Sequence, residues 1–291
     1  AMLEGGASGA LVVPSNPKDA IAAFHATPPV AKVLSGLTIA LYLLGQLVPG
    51  AESVLAIKAT NTYGAHSYIW NVYTAGFFNT SIIMALLVAI TFLVMGRFLV
   101  PEWGTGELLR FLSFSNLGAG MMVFFFQIFY YMTSFNYKFL EQPCSGGIGI
   151  IAAFTVTVKQ RLPEEPITFF GNNFLQLTAK DLPGVLVIIA GLVSLVDAAP
   201  VFLQSVSGAY FGWLYLRFLQ RSPGGLRGDM QDSMAFIMFF PQALRPAMQV
   251  VSSFAYKLVC QKGLRAILDD LPHSRQGGAS DFLPPGVLRG A

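Results

Sequence analysis

Charge is what this chain has least of. Only 11% of its residues are Asp, Glu, Lys or Arg, where a soluble domain carries about 25%. Hydrophobic residues make up 54% of the 291, and the mean hydropathy is +0.59. That balance excludes an ordinary water-soluble enzyme and implies a polytopic membrane protein. Histidine and cysteine are also scarce, at three and two residues. No Cys/His spacing resembles a zinc site, and no metal or cofactor is implied. The net charge of +3 gives no reason to expect nucleic acid as a partner. Residues 1–29 lack a basic stretch followed by an apolar run and a cleavage site, so no cleaved signal peptide is expected.

Six apolar runs read as spans, four of them of full membrane-spanning length. They are approximately Ala31–Val48, Phe78–Leu99, Leu109–Thr133, Gly146–Val158, Pro183–Val196 and Pro200–Phe218. The fourth and fifth are short and suit the inside of a bundle or a thinned membrane. The predicted fold class is therefore all-α and polytopic, a bundle of six transmembrane helices. Residues 1–29 read as a flexible cytosolic arm, with a short amphipathic turn at Asp19–His25 that Pro28-Pro29 ends. Residues 30–221 form the membrane domain. Residues 222–271 form a juxtamembrane segment whose stretch Ala247–Leu271 is an amphipathic helix, either lying on the leaflet or packed on the bundle ends. Residues 272–291 form a disordered tail. Between the fourth and fifth spans, Ile167–Phe170 and Phe174–Thr178 could pair as a surface hairpin.

Basic residues fix the orientation. Lys18, Lys32, Arg97, Arg110, Lys159, Arg161, Lys180, Arg217, Arg221 and Arg227 fall on one side, against Lys58 and Lys138 near span ends on the other. The positive-inside rule then makes both termini cytosolic. On this topology Cys144 and Cys260 face opposite sides, which excludes a disulfide between them.

The stretch Glu141-Gln142-Pro143-Cys144-Ser145-Gly146-Gly147-Ile148-Gly149 places a serine and three glycines at the lumenal mouth of the fourth span. Such a serine can be a nucleophile if a base stands beside it. Otherwise it is a small residue where helices pack. The three histidines, His25, His66 and His273, lie outside the spans. Lys138 is on the lumenal side but suits an interfacial anchor better than a base.

Three motifs resemble the rhomboid intramembrane proteases. Trp70-Asn71-Val72-Tyr73-Thr74 is similar to that family's Trp-Arg-x-x-Thr, with Asn71 in place of arginine. Gly96 to Gly104 is similar to Gly-x-x-x-Glu-x-x-x-Gly, with Val100 in the acidic place. Gly208-x-x-x-Gly212 is similar to the paired glycines of the sixth span. The resemblance implies that Gly208 and Gly212 pack against Gly146, Gly147 and Gly149. It also implies a general-base histidine three residues before Gly208, where this chain has Ser205, and polar groups in the second span, of which Asn79 remains. The serine motif reads Pro143-Cys144-Ser145-Gly146, without its first glycine. With Ser145, Ser205 and Asn79 as degenerate positions, the expectation is a pseudoprotease. The alternative is an active intramembrane serine protease using Ser145.

A longer resemblance covers residues 30–255. Tyr131 to Asn136, Val158-Lys159-Gln160, Gly212 to Arg221 and Arg227-Gly228-Asp229-Met230 are similar to the transmembrane protein 115 family of rhomboid-like Golgi proteins. That resemblance implies a self-associating Golgi membrane protein, a homo-oligomer, acting in retrograde traffic to the endoplasmic reticulum. Its implied partners are the lipid bilayer and membrane-protein cargo or vesicle-coat and tether machinery. Arg217, Arg221, Arg227 and Asp229 would then form a cytosolic docking surface or lipid contact, with ordinary positive-inside anchoring as the other reading of Arg217. Glu102, Trp103 and Gly104 would make a turn holding the second and third spans together.

Overall fold

The computed structural model describes residues 17–63, 67–165, 178–197, 200–221, 228–229, 231–239, 246 and 249–250. Residues 1–16, His66, the expected hairpin up to position 177, Arg227, Cys260, His273, nearly all of the expected amphipathic helix and the whole tail lie outside them. Among the described residues the chain is helical and has no strand; an isolated antiparallel bridge joins Ile57 to Cys144.

Helix α1 (Pro17–Ala26) ends before Pro28, and α2 (Pro29–Leu47) starts with proline in its first turn, where the missing N–H costs nothing. Three short helices follow: α3 (Ala51–Leu55), α4 (Ala59–Tyr63) and α5 (Asn71–Thr74). Helix α6 (Ile82–Ser134) contains the third expected span and all of the second from Ile82 onward. Its backbone is helical on either side of Gly104, which sits at φ 77° and ψ 162°. Only glycine adopts that conformation without strain, and Pro101 removes a hydrogen bond just before it. The result is one chain segment folded into two arms. A turn, α7 (Lys138–Glu141), leads to α8 (Ile148–Arg161). Then come a 3-10 turn (Ala179–Asp181), α9 (Leu182–Asp197) and α10 (Val201–Leu214), which continues as a wider π turn over Tyr215–Leu219.

Helices α2 and α6 are long and apolar enough to cross a membrane. Helices α8, α9 and α10 have 14, 16 and 14 residues, below the ~20 that span a bilayer unaided. Helix α8 lies innermost, with Ile150, Ala152, Ala153, Phe154 and Val156 all buried. An aromatic chain runs through this core: Phe77 stacks on Phe92, Phe92 meets Phe154 edge-on, and Phe111 contacts both Phe154 and Tyr215 at 5.7 and 5.6 Å. By contrast Ile82, Ile83, Leu86 and Leu87 on α6 are exposed, as suits a helix facing lipid.

The chain divides into two compact units, Ala1–Met234 and Ala235–Ala291. Of the second, a 3-10 turn at Phe236–Phe239 is described, with the Met238 amide donating to the Ala235 carbonyl at 2.9 Å.

Candidate functional site

Ser145 is placed by backbone hydrogen bonds on either side of it. The amides of Ile57 and Cys144 each donate to the other's carbonyl at 2.9 Å, and Gly146 donates to the Ala75 carbonyl at 2.9 Å. Gly146 has φ 121°, so the chain can leave the bridge and enter α8 at this point only with glycine. Next, the Gly147 amide donates to Asn79 Oδ1 at 3.0 Å, while Asn79 Nδ2 donates to the Phe77 carbonyl at 3.1 Å. Asn79 is buried and acts as a strut between α8 and the start of α6.

The hydroxyl of Ser145 is half-buried and has no hydrogen-bond partner among the described residues. Ser205 stands at the position where the resemblance calls for a base. It is fully buried, and its hydroxyl donates to the Phe202 carbonyl of its own helix at 2.8 Å. A hydroxyl held in that way cannot take a proton from Ser145 at neutral pH. Cys144 is also buried, and burial pushes its thiol pKa well above the ordinary value, which makes it a poor nucleophile. Of the histidines, His25 is described and lies in α1, while His66 and His273 lie outside the described residues.

A cavity of about 20 Å³ is lined by Ile57, Asn116, Gly146, Gly149 and Gln204, without Ser145. Its volume suits a single water. Asn116 Nδ2 donates to the Tyr73 carbonyl at 2.6 Å, and Gln127 Nε2 to the Gln142 carbonyl at 2.9 Å. The first-loop motif is likewise structural in its contacts. Thr62 Oγ1 donates to Asn71 Oδ1 at 3.0 Å, and Thr74 Oγ1 to the Leu55 carbonyl at 3.1 Å.

The glycines divide between two seams. A methyl group on Gly208 would overlap the carbonyl of Gly149, and one on Gly212 would come within 2.9 Å of the Ala153 Cα. So α10 meets α8 backbone to backbone at Gly149 and Ala153. Gly147 instead faces Val88 of α6 and the Gly76 carbonyl. A methyl group on Gly146 would lie 3.8 and 3.9 Å from Asn79 Oδ1 and Gln204 Oε1.

At the opposite end, Glu102 forms an ion pair with Arg161 at the end of α8. The Arg161 guanidinium lies 5.7 Å from the Trp103 ring centre. The turn at Gly104 is thereby tied to α8 as well as joining the two arms of α6. Glu107, one helical turn further on, is buried. Its Oε1 accepts from Tyr215 Oη at 2.7 Å and from the Arg221 amide at 3.0 Å, and its Oε2 pairs with Arg110 at 3.0 Å. Burial disfavours the charged form of Glu107. The hydrogen bonds from Arg221, Tyr215 and Arg110 outweigh it, and the carboxyl titrates below its usual range.

Arg217 turns inward to its own chain, donating to the carbonyls of Asp229 at 2.9 Å and Gln231 at 2.6 Å. Asp229 accepts from Gln160 Nε2 at 2.9 Å. Gln160 Nε2 also reaches Gln220 Oε1 at 3.0 Å. Arg221 keeps an exposed side chain. The sequence did not single out Glu107, and Gln160 and Gln220 entered only within the motifs that carry the family resemblance. Scarcity was the available signal for Glu107, since it is one of 15 acidic residues in 291 and sits beside an apolar run.

Residues 32–281 match the family described as Eukaryotic integral membrane protein (DUF1751). The chain is 33% identical over 253 residues to Rhomboid-like protein 19 of Arabidopsis thaliana, covering 84% of this chain and 80% of that protein. It is 31% identical over 248 residues to Transmembrane protein 115 of Bos taurus, covering 81% and 68%. To the Transmembrane protein 115 homolog of Saccharomyces cerevisiae it is 26% identical over 227 residues, covering 67% and 65%. No solved structure matches the chain.

Proposed function

Because this chain belongs to the DUF1751 family of eukaryotic integral membrane proteins, with rhomboid-like relatives, we propose that it is a non-catalytic rhomboid-like scaffold of the Golgi membrane. It binds membrane cargo or coat and tether machinery in Golgi-to-endoplasmic-reticulum retrograde transport. Six spans, both termini in the cytosol and self-association belong to this reading. Their support is the run of apolar segments, the bias of Lys and Arg, and the resemblance to the transmembrane protein 115 family.

One observation carries the non-catalytic part. Position 205 holds a buried serine whose hydroxyl donates into its own helix, so among the described residues Ser145 has no base at the place where the resemblance calls for one. Losing one partner of such a pair costs on the order of 10⁴-fold in rate. The alternative, proteolysis through Ser145, draws on the half-buried hydroxyl without a partner. For docking, the exposed Arg221 is a better candidate than Arg217, which is engaged with carbonyls of its own chain. Arg227 would act with it.

The test is replacement of the chromosomal copy. Cells lacking the protein should show slowed return of Golgi cargo to the endoplasmic reticulum. Ser145→Ala should restore it fully, and Arg221→Glu should restore it only in part. Failure of Ser145→Ala to restore transport would point to the protease alternative, and normal transport in cells lacking the protein would remove the trafficking role.

A further inference from the structure

At the Ser145 end, outside the Ile57–Cys144 bridge, is a cleft of about 570 Å³ lined by Gly50, Ser53, Lys58, Asn61, Tyr68 and Glu141. A cleft of about 300–1,000 Å³ suits a small ligand. Lys58 and Glu141 form no ion pair with each other or with another described residue. Two free charges of opposite sign thus face one polar cleft. A ligand with a single charge would leave the other unmatched, so the chemistry that fits is a zwitterion.

Its level in the fold says where such a zwitterion comes from. Gly50 lies three residues past the end of the apolar helix α2, and Glu141 seven residues past the end of α6. Exposed Tyr63, Ile69, Trp70 and Tyr137 stand on the same loops. Aromatic side chains at the ends of apolar helices mark the headgroup layer. Tyr68 is the one aromatic among the lining residues, whereas a quaternary ammonium is held by a cage of rings. A primary ammonium can instead donate hydrogen bonds to a carboxylate.

We propose that this cleft binds the headgroup of an aminophospholipid, its phosphate at Lys58 and its primary ammonium at Glu141. The site is independent of Ser145 and of the trafficking role.

The experiment uses the full chain, purified and stripped of lipid in detergent, and follows thermal unfolding and lipid retention by native mass spectrometry. Phosphatidylethanolamine should bind about tenfold more tightly than phosphatidylcholine or phosphatidylglycerol. Glu141→Gln should abolish that preference, while Lys58→Ala should weaken binding of all three lipids alike and Lys58→Arg should keep their binding. Glycerophosphoethanolamine, the soluble headgroup, should compete weakly. Equal stabilisation of the unaltered protein by the three lipids would overturn the proposal, and so would an unchanged preference in Glu141→Gln or unchanged binding of all three lipids in Lys58→Ala. Soluble headgroup binding as tightly as the lipid would overturn the membrane source. The comparison of lipids on the unaltered protein decides the matter even if a variant fails to fold.

Discussion

Glu107 is where three parts of the chain meet: the second arm of α6, the π turn after α10 and the segment at Arg221. Replacing it with alanine leaves a buried phenol and a backbone amide without an acceptor, a loss of about 1–3 kcal/mol for each stranded group. Its titration adds a pH dependence. The folded-state pKa lies below the ordinary carboxylate value. The stability it contributes is therefore complete above the unfolded pKa, about 4.3. It is lost as pH falls through the lower folded value. Thermal unfolding of the purified protein should show a constant gap between the native chain and Glu107→Gln from neutral pH down to the ordinary carboxylate range. Below it, the gap should close. A gap that is unchanged into strong acid would contradict the charged, hydrogen-bonded carboxylate.

Packing of α8 against α10 is decided by backbone approach, because in lipid no hydrophobic effect drives two apolar helices together. Gly208 and Gly36 make the comparison direct. A methyl on Gly208 meets the Gly149 carbonyl, while a methyl on Gly36 meets nothing within 4 Å. Gly208→Ala should destabilise by about 1–3 kcal/mol. Gly36→Ala, in the middle of α2, should stabilise by about 0.4–1 kcal/mol through reduced freedom of the unfolded chain. Unfolding of the two variants in detergent checks the opposite signs. Equal shifts would mean that α8 and α10 are not in close contact. At this scale the sequence was legible in part. The spacing of Gly208 and Gly212 puts both on one helix face, and Pro28-Pro29 marks the start of α2. That Gly147 faces Val88 was not legible, because it depends on how residues 75–79 tuck beneath α8. The break between the two arms of α6 was legible, since Pro101 and Gly104 mark it. The pairing of Glu107 with Tyr215, 108 positions apart, was hidden, since local patterns carry no information on such a pair.

For the whole molecule, topology and chemistry make separate claims. Single cysteines at Ser67 and Glu164, in a chain with Cys260→Ser and the buried Cys144 retained, should lie on opposite sides of the membrane. An impermeant thiol reagent added to sealed, oriented vesicles should label one and spare the other; labelling of both would break the proposed six-span arrangement. The central claim is that the fold is rhomboid-like while Ser145 is not a working nucleophile. The most direct measurement is reaction of the membrane-reconstituted protein with a fluorophosphonate, read by mass spectrometry at Ser145 beside an active rhomboid protease. The account predicts no adduct at Ser145 under conditions that fully label the active enzyme. A stoichiometric adduct, lost in Ser145→Ala, would contradict it.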